Sequence, residues 1–284
     1  MKIQHFFDPN TWTLSYVVWD EGSKIAVVID PVADYDPKAV RVTHDSAEKI
    51  AKFIDEHDLK LTHVLDTHVH ADHLTGMPFF KQRYGAKTVI GSKVGTVLET
   101  FRSVFGLPDD FPVDGSQFDI LLDAGESLDV GPFQIEAIPT PGHTPASMTY
   151  KIEDALFVGD LLFQPDSGAA RCDFPGGSAA EEYDSIRRLF ELPEETRVFT
   201  CHDYQPGGRE LAFESTIGEQ RKHNVHVNDR VTREEFVALR KKLEDGKELP
   251  TLLFQSLQVN IRAGELPEPE ANGMAYLKLP LNAF

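Results

Sequence analysis

The chain has 284 residues, with 28 basic against 46 acidic side chains and a net charge of −18 with histidine neutral. That balance is the opposite of a nucleic-acid footprint and is repelled by acidic membrane surfaces, which excludes a DNA- or RNA-binding module as the main reading. A hydrophobic fraction of 41% and a charged fraction of 26% can fill a sizeable core and exclude wholesale disorder.

No apolar run approaches the roughly 20 residues of a spanning helix. The start, Met1 to Phe7, lacks an apolar signal core, and two cysteines, Cys172 and Cys201, cannot make a disulfide framework. A soluble cytoplasmic protein without membrane or nucleic-acid partners is expected.

In chain order, Thr13–Trp19 alternates and Ile25–Ile29 is an apolar run; both read as strands around a turn at Asp20–Lys24. Asp30-Pro31 ends the second. Asp45 or Ser46 is expected to cap a helix carrying Ala47, Ile50, Phe53 and Ile54 on one face. Thr62–Asp66 reads as a strand, Leu74–Tyr84 as a helix closed by Gly85, and Thr88–Gly91 as a strand. Val104–Gly125, rich in Pro, Asp and Gly, reads as a long surface loop. Strands follow at Phe133–Ile138, Ser147–Ile152 and Ala155–Val158. Ser178 opens a helix with capping-box spacing, and Arg197–Cys201 is a further strand. From about residue 207 the texture is helical and charged, with Thr232–Glu244 the best helix, and the segment around Leu266–Glu270 is extended. Strands mixed with helices predict an α/β fold, sheets covered by helices on their outer faces, in a single domain over 1–284.

The strongest signal is Asp66-Thr-His68-Val-His70-Ala-Asp72-His73-Leu-Thr-Gly76. Three imidazoles and a carboxylate sit within six residues, directly after a strand. A polar turn with unpaired histidines would cost free energy at a strand end without a metal. Imidazole and carboxylate suit Zn, Fe or Mn, and the lack of thiolate argues against a structural zinc finger. Three later positions repeat the strand-end placement: His143 in Thr140-Pro-Gly-His143-Thr-Pro, Asp160 after Phe157-Val-Gly, and His202 in Thr200-Cys-His202-Asp-Tyr204. Each is weak alone; together they are strong, and ligands at separate strand ends are what a site at one edge of a sheet sandwich would require.

This set resembles the metallo-β-lactamase superfamily over nearly the whole chain. The resemblance implies an αββα sandwich, two mixed β-sheets flanked by helices, with the metal at the sheet edges. Thr67–Gly76, Ala170-Arg171-Cys-Asp173-Phe174 and His202-Asp-Tyr204 resemble the persulfide dioxygenase branch. There, the resemblance implies one Fe(II) per chain held by His68, His143 and Asp160, leaving open positions as in non-haem Fe(II) oxygenases. His70, Asp72, His73 and His202 match superfamily ligands and would line the pocket around that metal. Arg171 and Tyr204 match glutathione-contacting positions, and Asp173 is expected to bind substrate with them. The activity implied is oxidation of glutathione persulfide with O2 to sulfite and glutathione; a homo-oligomer such as a dimer is compatible with the resemblance. Gly168-Ala-Ala-Arg171 replaces the branch's usual Gly-x-Gly-Arg, and the loop carrying Arg171 is expected to run differently.

Two rivals remain at this level. A glyoxalase II-like thioester hydrolase would use two metals, Zn among the options, with Asp160 bridging and Asp72, His73 and His202 completing the second site. A non-catalytic O2 or sulfur sensor is the reading from another class; the retained His70 argues against it. Cys172 and Cys201 are expected to be packing residues, with neighbours along an extended strand pointing to opposite faces.

Overall fold

In the computed structural model, residues 1–282 are described. In chain order the elements are β1 (Lys2–Asp8), β2 (Thr13–Trp19), β3 (Ile25–Ile29), β4 (Val32–Asp36), β5 (Arg41–Thr43), α1 (Asp45–Glu56), β6 (Lys60–Leu65), β7 (Leu74–Thr75), α2 (Met77–Tyr84), β8 (Lys87–Gly91) and α3 (Val94–Val104). They continue with β9 (Ile120–Leu122), β10 (Ser127–Val130), β11 (Phe133–Pro139), β12 (Met148–Ile152), β13 (Ala155–Phe157), α4 (Ala179–Leu189), β14 (Arg197–Phe199), β15 (Glu214–Thr216), α5 (Ile217–His223), α6 (Arg233–Glu244) and α7 (Leu253–Asn260).

Two six-stranded mixed sheets, ordered β1-β2-β3-β6-β8-β9 and β10-β11-β12-β13-β14-β15, stack face to face. β3 explains why its apolar run is unbroken. Val27 and Ile29 point into the layer between the sheets, while Val28 points to the outer layer under the helices; a strand covered on both faces has no polar side. The inter-sheet layer holds Leu65 and Val89 from the first sheet against Ile135, Tyr150, Phe157 and Phe199 from the second. Ile50 and Ile54 of α1, Phe80 of α2, Leu98 of α3 and Leu257 of α7 cover the first sheet, and Ile186 and Leu189 of α4 with Phe236 of α6 cover the second. The layers run α, β, β, α, as the sequence implies. Among the described residues no helix is long and apolar enough to cross a membrane.

Several boundaries differ from expectation. Leu74 and Thr75 do not start a helix: they pair with Ala33 and Val32 of β4, and Met77 with Pro78 begins α2. α1 is not capped by Asp45 or Ser46; Asp34 of β4 accepts both the N–H and the hydroxyl of Ser46 at 2.8 Å. The loop expected over 104–125 carries β9, paired in parallel with β8. The helix α3 was not foreseen, nor were β1, β4 and β5. Ser178 does cap α4, accepting from Glu181 N–H. Thr232 opens α6 with a full capping box shared with Glu235. The stretch after 207 is helical, with β15 added to the second sheet.

Two buried tyrosines tie the sheets together where the strands end. Tyr16 of β2 donates to the Thr200 carbonyl beyond β14 at 2.6 Å, and Tyr150 of β12 donates to the Asp66 carbonyl beyond β6 at 2.9 Å. That edge carries the site.

Candidate metal centre

β6 ends at Leu65 and releases the turn 66–73; β13 ends before Gly159-Asp160, and β14 before His202. The turn between β11 and β12 supplies His143. Gly159 has φ +55°, and a Cβ there would lie 2.4 Å from Thr67 Oγ1, so only glycine lets the Asp160 strand end approach the histidine turn.

The seven expected metal-site residues meet. Ligand atoms of His68, His143 and Asp160 lie within 4.8 Å of one another, as do those of Asp72, His73 and His202. Asp160 faces both groups: Oδ2 is 3.9 Å from His68 Nε2 and 3.7 Å from His143 Nε2, and Oδ1 is 3.3 Å from His202 Nε2. Asp72 Oδ2 is 3.2 Å from the same His202 nitrogen.

The outer nitrogens are all engaged. His143 Nδ1 donates to the Arg171 carbonyl at 2.6 Å, His73 Nδ1 to Leu74 O at 3.2 Å, and His202 Nδ1 to Trp12 O at 3.2 Å. A carbonyl accepts only, which places the hydrogen on Nδ1 and turns the Nε2 lone pair inward. His68 Nδ1 meets Thr67 Oγ1 at 3.0 Å. His70 is mounted the other way round, with Nε2 on Asp30 Oδ1 at 3.0 Å.

The inner atoms are the reverse case. Among the described residues, His68 Nε2, His70 Nδ1, His73 Nε2, His202 Nε2 and Asp160 Oδ1 are buried without a hydrogen-bond partner. Each such orphan costs on the order of 1–3 kcal/mol. Inward lone pairs facing carboxylate oxygens repel unless a cation lies between them, and the nitrogen–oxygen donor set is one that Zn, Fe or Mn accepts. The residues therefore fit a bound metal.

Protonation follows the same logic. Burial and the neighbouring His70 charge lower His73 to about 4, keeping it neutral. Burial, then His70, likewise hold His68 well below its usual range. At His202 burial opposes the charged form, but Asp160 and Asp72 outweigh it and raise the pKa; proton and metal compete for one place. Burial also opposes the charged form of His70, yet Asp30 raises it to about 9.

Asp30 is the functional residue that sequence reasoning missed, having been read only as a strand end. It has φ +49°, is buried, and binds Thr67 N at 2.7 Å as well as His70. The Asp-Pro pair closing an apolar strand is the signal that could have found it. Asp66, at the head of the same motif, is buried as well, and burial pushes it up to about 7.

A cavity of about 310 Å³ opens onto Asp72, His143 and Asp160, walled by Phe163, Phe174 and Arg171. It meets a larger groove of about 1080 Å³ that shares Arg171, Tyr204 and Lys247. Arg171 lines both, but its fork is engaged: Nε and Nη2 each donate to Asp173 at 2.6 Å, Nη1 donates to the Glu248 carbonyl at 2.8 Å, and the plane lies over Phe174. Tyr204 is 47% exposed and stacks on the His202 ring with an interplanar angle of 8°. Of the expected trio, Arg171 and Tyr204 line the cavity, whereas Asp173 does not line it and faces the arginine instead.

Both cysteines are buried. Cys172 donates to Glu182 at 2.8 Å. Cys201 departs from the expectation that it faces away from the site. Its sulfur lies within 4.8 Å of ligand atoms of His70 and His73, and of Asp160 and His202, because the chain has already left the regular strand there.

Residues 13–202 match the family model of the metallo-beta-lactamase superfamily. The chain is 46% identical, over the full length of both, to a Burkholderia pseudomallei (strain 1710b) protein named "Probable metallo-hydrolase". It is 44% identical to "Glyoxylase B2" of Dictyostelium discoideum, covering 99% of this chain and 97% of that one. "Persulfide dioxygenase ETHE1, mitochondrial" of Bos taurus is 29% identical, covering 92% and 88%. Among solved structures, ETHE1 from Myxococcus xanthus superposes with a TM-score of 0.76 at 30% identity, covering 93% of this chain and 100% of that one.

Proposed function

The chain belongs to the metallo-beta-lactamase superfamily, and from that premise we propose that it is a persulfide dioxygenase. It converts glutathione persulfide, O2 and water into glutathione and sulfite, using one Fe(II) per chain. The observation that carries this reading is the convergence of His68, His143 and Asp160 on one face beside the cavity. Two imidazoles and one carboxylate leave the remaining positions of a bound Fe(II) open, and that ion supplies O2 activation when present. Likeness to the ETHE1 structure and to the Bos taurus persulfide dioxygenase supports the branch.

The chain's own residues then bind and orient. Phe163 and Phe174 give the cavity apolar walls that exclude water from the sulfur end. Arg171 and Lys247 put positive charge at its mouth in an otherwise acidic protein, where the carboxylates of glutathione need it. Asp173 and the Glu248 carbonyl hold the guanidinium plane, so a carboxylate would meet the remaining N–H groups of a fixed side chain. His143 is held through the Arg171 carbonyl, which couples the substrate loop to a metal ligand.

A second reading rests on its own observation. Asp72, His73 and His202 form a second cluster, and Asp160 turns its other oxygen toward it. That arrangement suits two Zn ions and thioester hydrolysis, in keeping with relatives named as a hydrolase and a glyoxylase.

Oxygen uptake by anaerobically Fe(II)-loaded protein on adding glutathione persulfide, with sulfite assayed, tests the proposal. Uptake with matching sulfite, lost in His143→Ala, is expected. No uptake by folded, iron-loaded protein overturns it; hydrolysis of a glutathione thioester with two equivalents of Zn then supports the second reading, and binding without turnover a sensor.

A further inference from the structure

The region matching the family ends at His202, yet one side chain from far beyond it reaches into the histidine turn. Asn260, the last residue of α7, is 2% exposed. Its Nδ2 donates to the carbonyls of His70 and His73, both at 2.8 Å, and its Oδ1 accepts the Thr75 N–H at 2.9 Å. One amide thereby satisfies three backbone groups along six residues of the turn. α7 is seated there by Val259, which packs with Leu74 and Ala33.

We propose that Asn260 is a positioning residue of the metal centre: it sets the His70–His73 turn so that Asp72 and His73 are already aimed inward before a metal arrives. The geometry favours this over simple packing. Histidine side chains are aimed by the backbone that bears them, and the Asn260 bonds bracket a segment that carries an imidazole and a carboxylate side by side, Asp72 and His73. No other side chain among the described residues bonds the carbonyl of His70 or His73. An asparagine suits the place because it needs two donors and one acceptor on a single planar group. Aspartate has the same shape but would set an oxygen against two carbonyls. The inference rests on the capacity of the Asp72, His73 and His202 group to take an ion beside the His68, His143 and Asp160 group, and Co(II) reads that capacity whichever reaction the protein catalyses.

The test uses the full chain stripped of metal by chelator and titrated with Co(II), read by its visible absorption and by competition against a chelator of known affinity. Asn260→Asp is expected to weaken Co(II) binding about 10–100-fold, the usual cost of losing a group that orients ligands, and to shift the absorption band. Gln258→Leu is the control. Gln258 is buried in the same helix, but its amide bonds Phe254 O and Lys278 O instead of the turn. It should lower the melting temperature without moving affinity or spectrum. If Asn260→Asp does not fold, Asn260→Ala, which removes the donors without adding an opposing oxygen, is titrated in its place. Wild-type affinity and spectrum in a folded Asn260 variant would overturn the proposal. So would an equal loss in Gln258→Leu at matched melting temperature.

Discussion

The two ligand groups differ in what holds them. His143 hangs from the carbonyl of Arg171, and its ring packs edge-on against Phe174, so its position depends on the loop that walls the cavity. His73 and His202 hang instead from the frame: Leu74 of β7 and the Trp12 carbonyl, with Asn260 and Asp203 locking the adjacent backbone. The first group is built to feel whatever fills the cavity. The second meets the cavity only through Asp72, and its imidazoles are built to stay still. A site with one responsive and one more rigid half would couple substrate arrival to a bound metal mainly at the responsive half.

The sharpest way to break this comparison is to delete one ligand from each half. His143→Ala should reduce persulfide oxidation to background and remove bound iron. His73→Ala should cost about 10–100-fold if it only lines the pocket. Equal, complete loss in both, with metal content falling from two to one per chain, would make the halves equivalent and favour the hydrolase. Oxygen-electrode rates and elemental analysis on the same samples decide it.

Stability should follow the rigid half. Asp203 is fully buried next to His202 and takes the Arg209 fork through two bonds of 2.7 Å. Arg209→Ala strands that carboxylate and should cost about 3–5 kcal/mol in urea unfolding. A loss below 1 kcal/mol would show that the frame does not depend on the pair.

Arg171→Lys probes the responsive half more gently. Lysine cannot reproduce the two-pronged bond to Asp173, so KM for glutathione persulfide should rise about tenfold, the equivalent of one charged hydrogen bond, with little change in kcat. A fall in kcat alone would instead place the effect on His143.

These contrasts also show what was legible in the sequence. The His68–His73 cluster was, because four donors of two kinds packed at one strand end cost free energy without a metal. His143, Asp160 and His202 could be named because each follows an apolar strand. Asp30 was legible only faintly, in the Asp-Pro pair that closes its strand: a single carboxylate there looks like any turn, and its role exists only through Thr67 and His70, far along the chain. The Arg171–Asp173 pair was read as two separate substrate contacts, since spacing of two residues does not say whether side chains meet. α3 and β9 were hidden by Pro, Asp and Gly in the neighbouring segment, and β7 by the helical look of Leu74 to Tyr84, which β4 overrides by pairing.

The smallest expected effect lies behind the cavity wall. His226 accepts the Ala169 N–H on Nδ1, and burial, then Arg240, lower its pKa to about 4. The folded state therefore resists a proton that the unfolded chain accepts near pH 6.5. Stability should be full above about pH 6.5 and decline as pH falls toward 4. His226→Gln, which keeps an acceptor but cannot titrate, should flatten that part of a melting-temperature profile. An unchanged slope would assign the acid sensitivity elsewhere.

The bond from Trp12 to His202 and the one from Asn260 to His70 each span 190 residues of chain. During synthesis the histidine turn leaves the ribosome long before either tether exists. At ~5–20 residues per second, the delay is roughly six seconds or more for the first tether and nine or more for the second. Nascent chains thus carry exposed histidines without a finished cage, and the cage closes only when the last helix has emerged. The finished cage is therefore a property of the whole chain and not of the growing one.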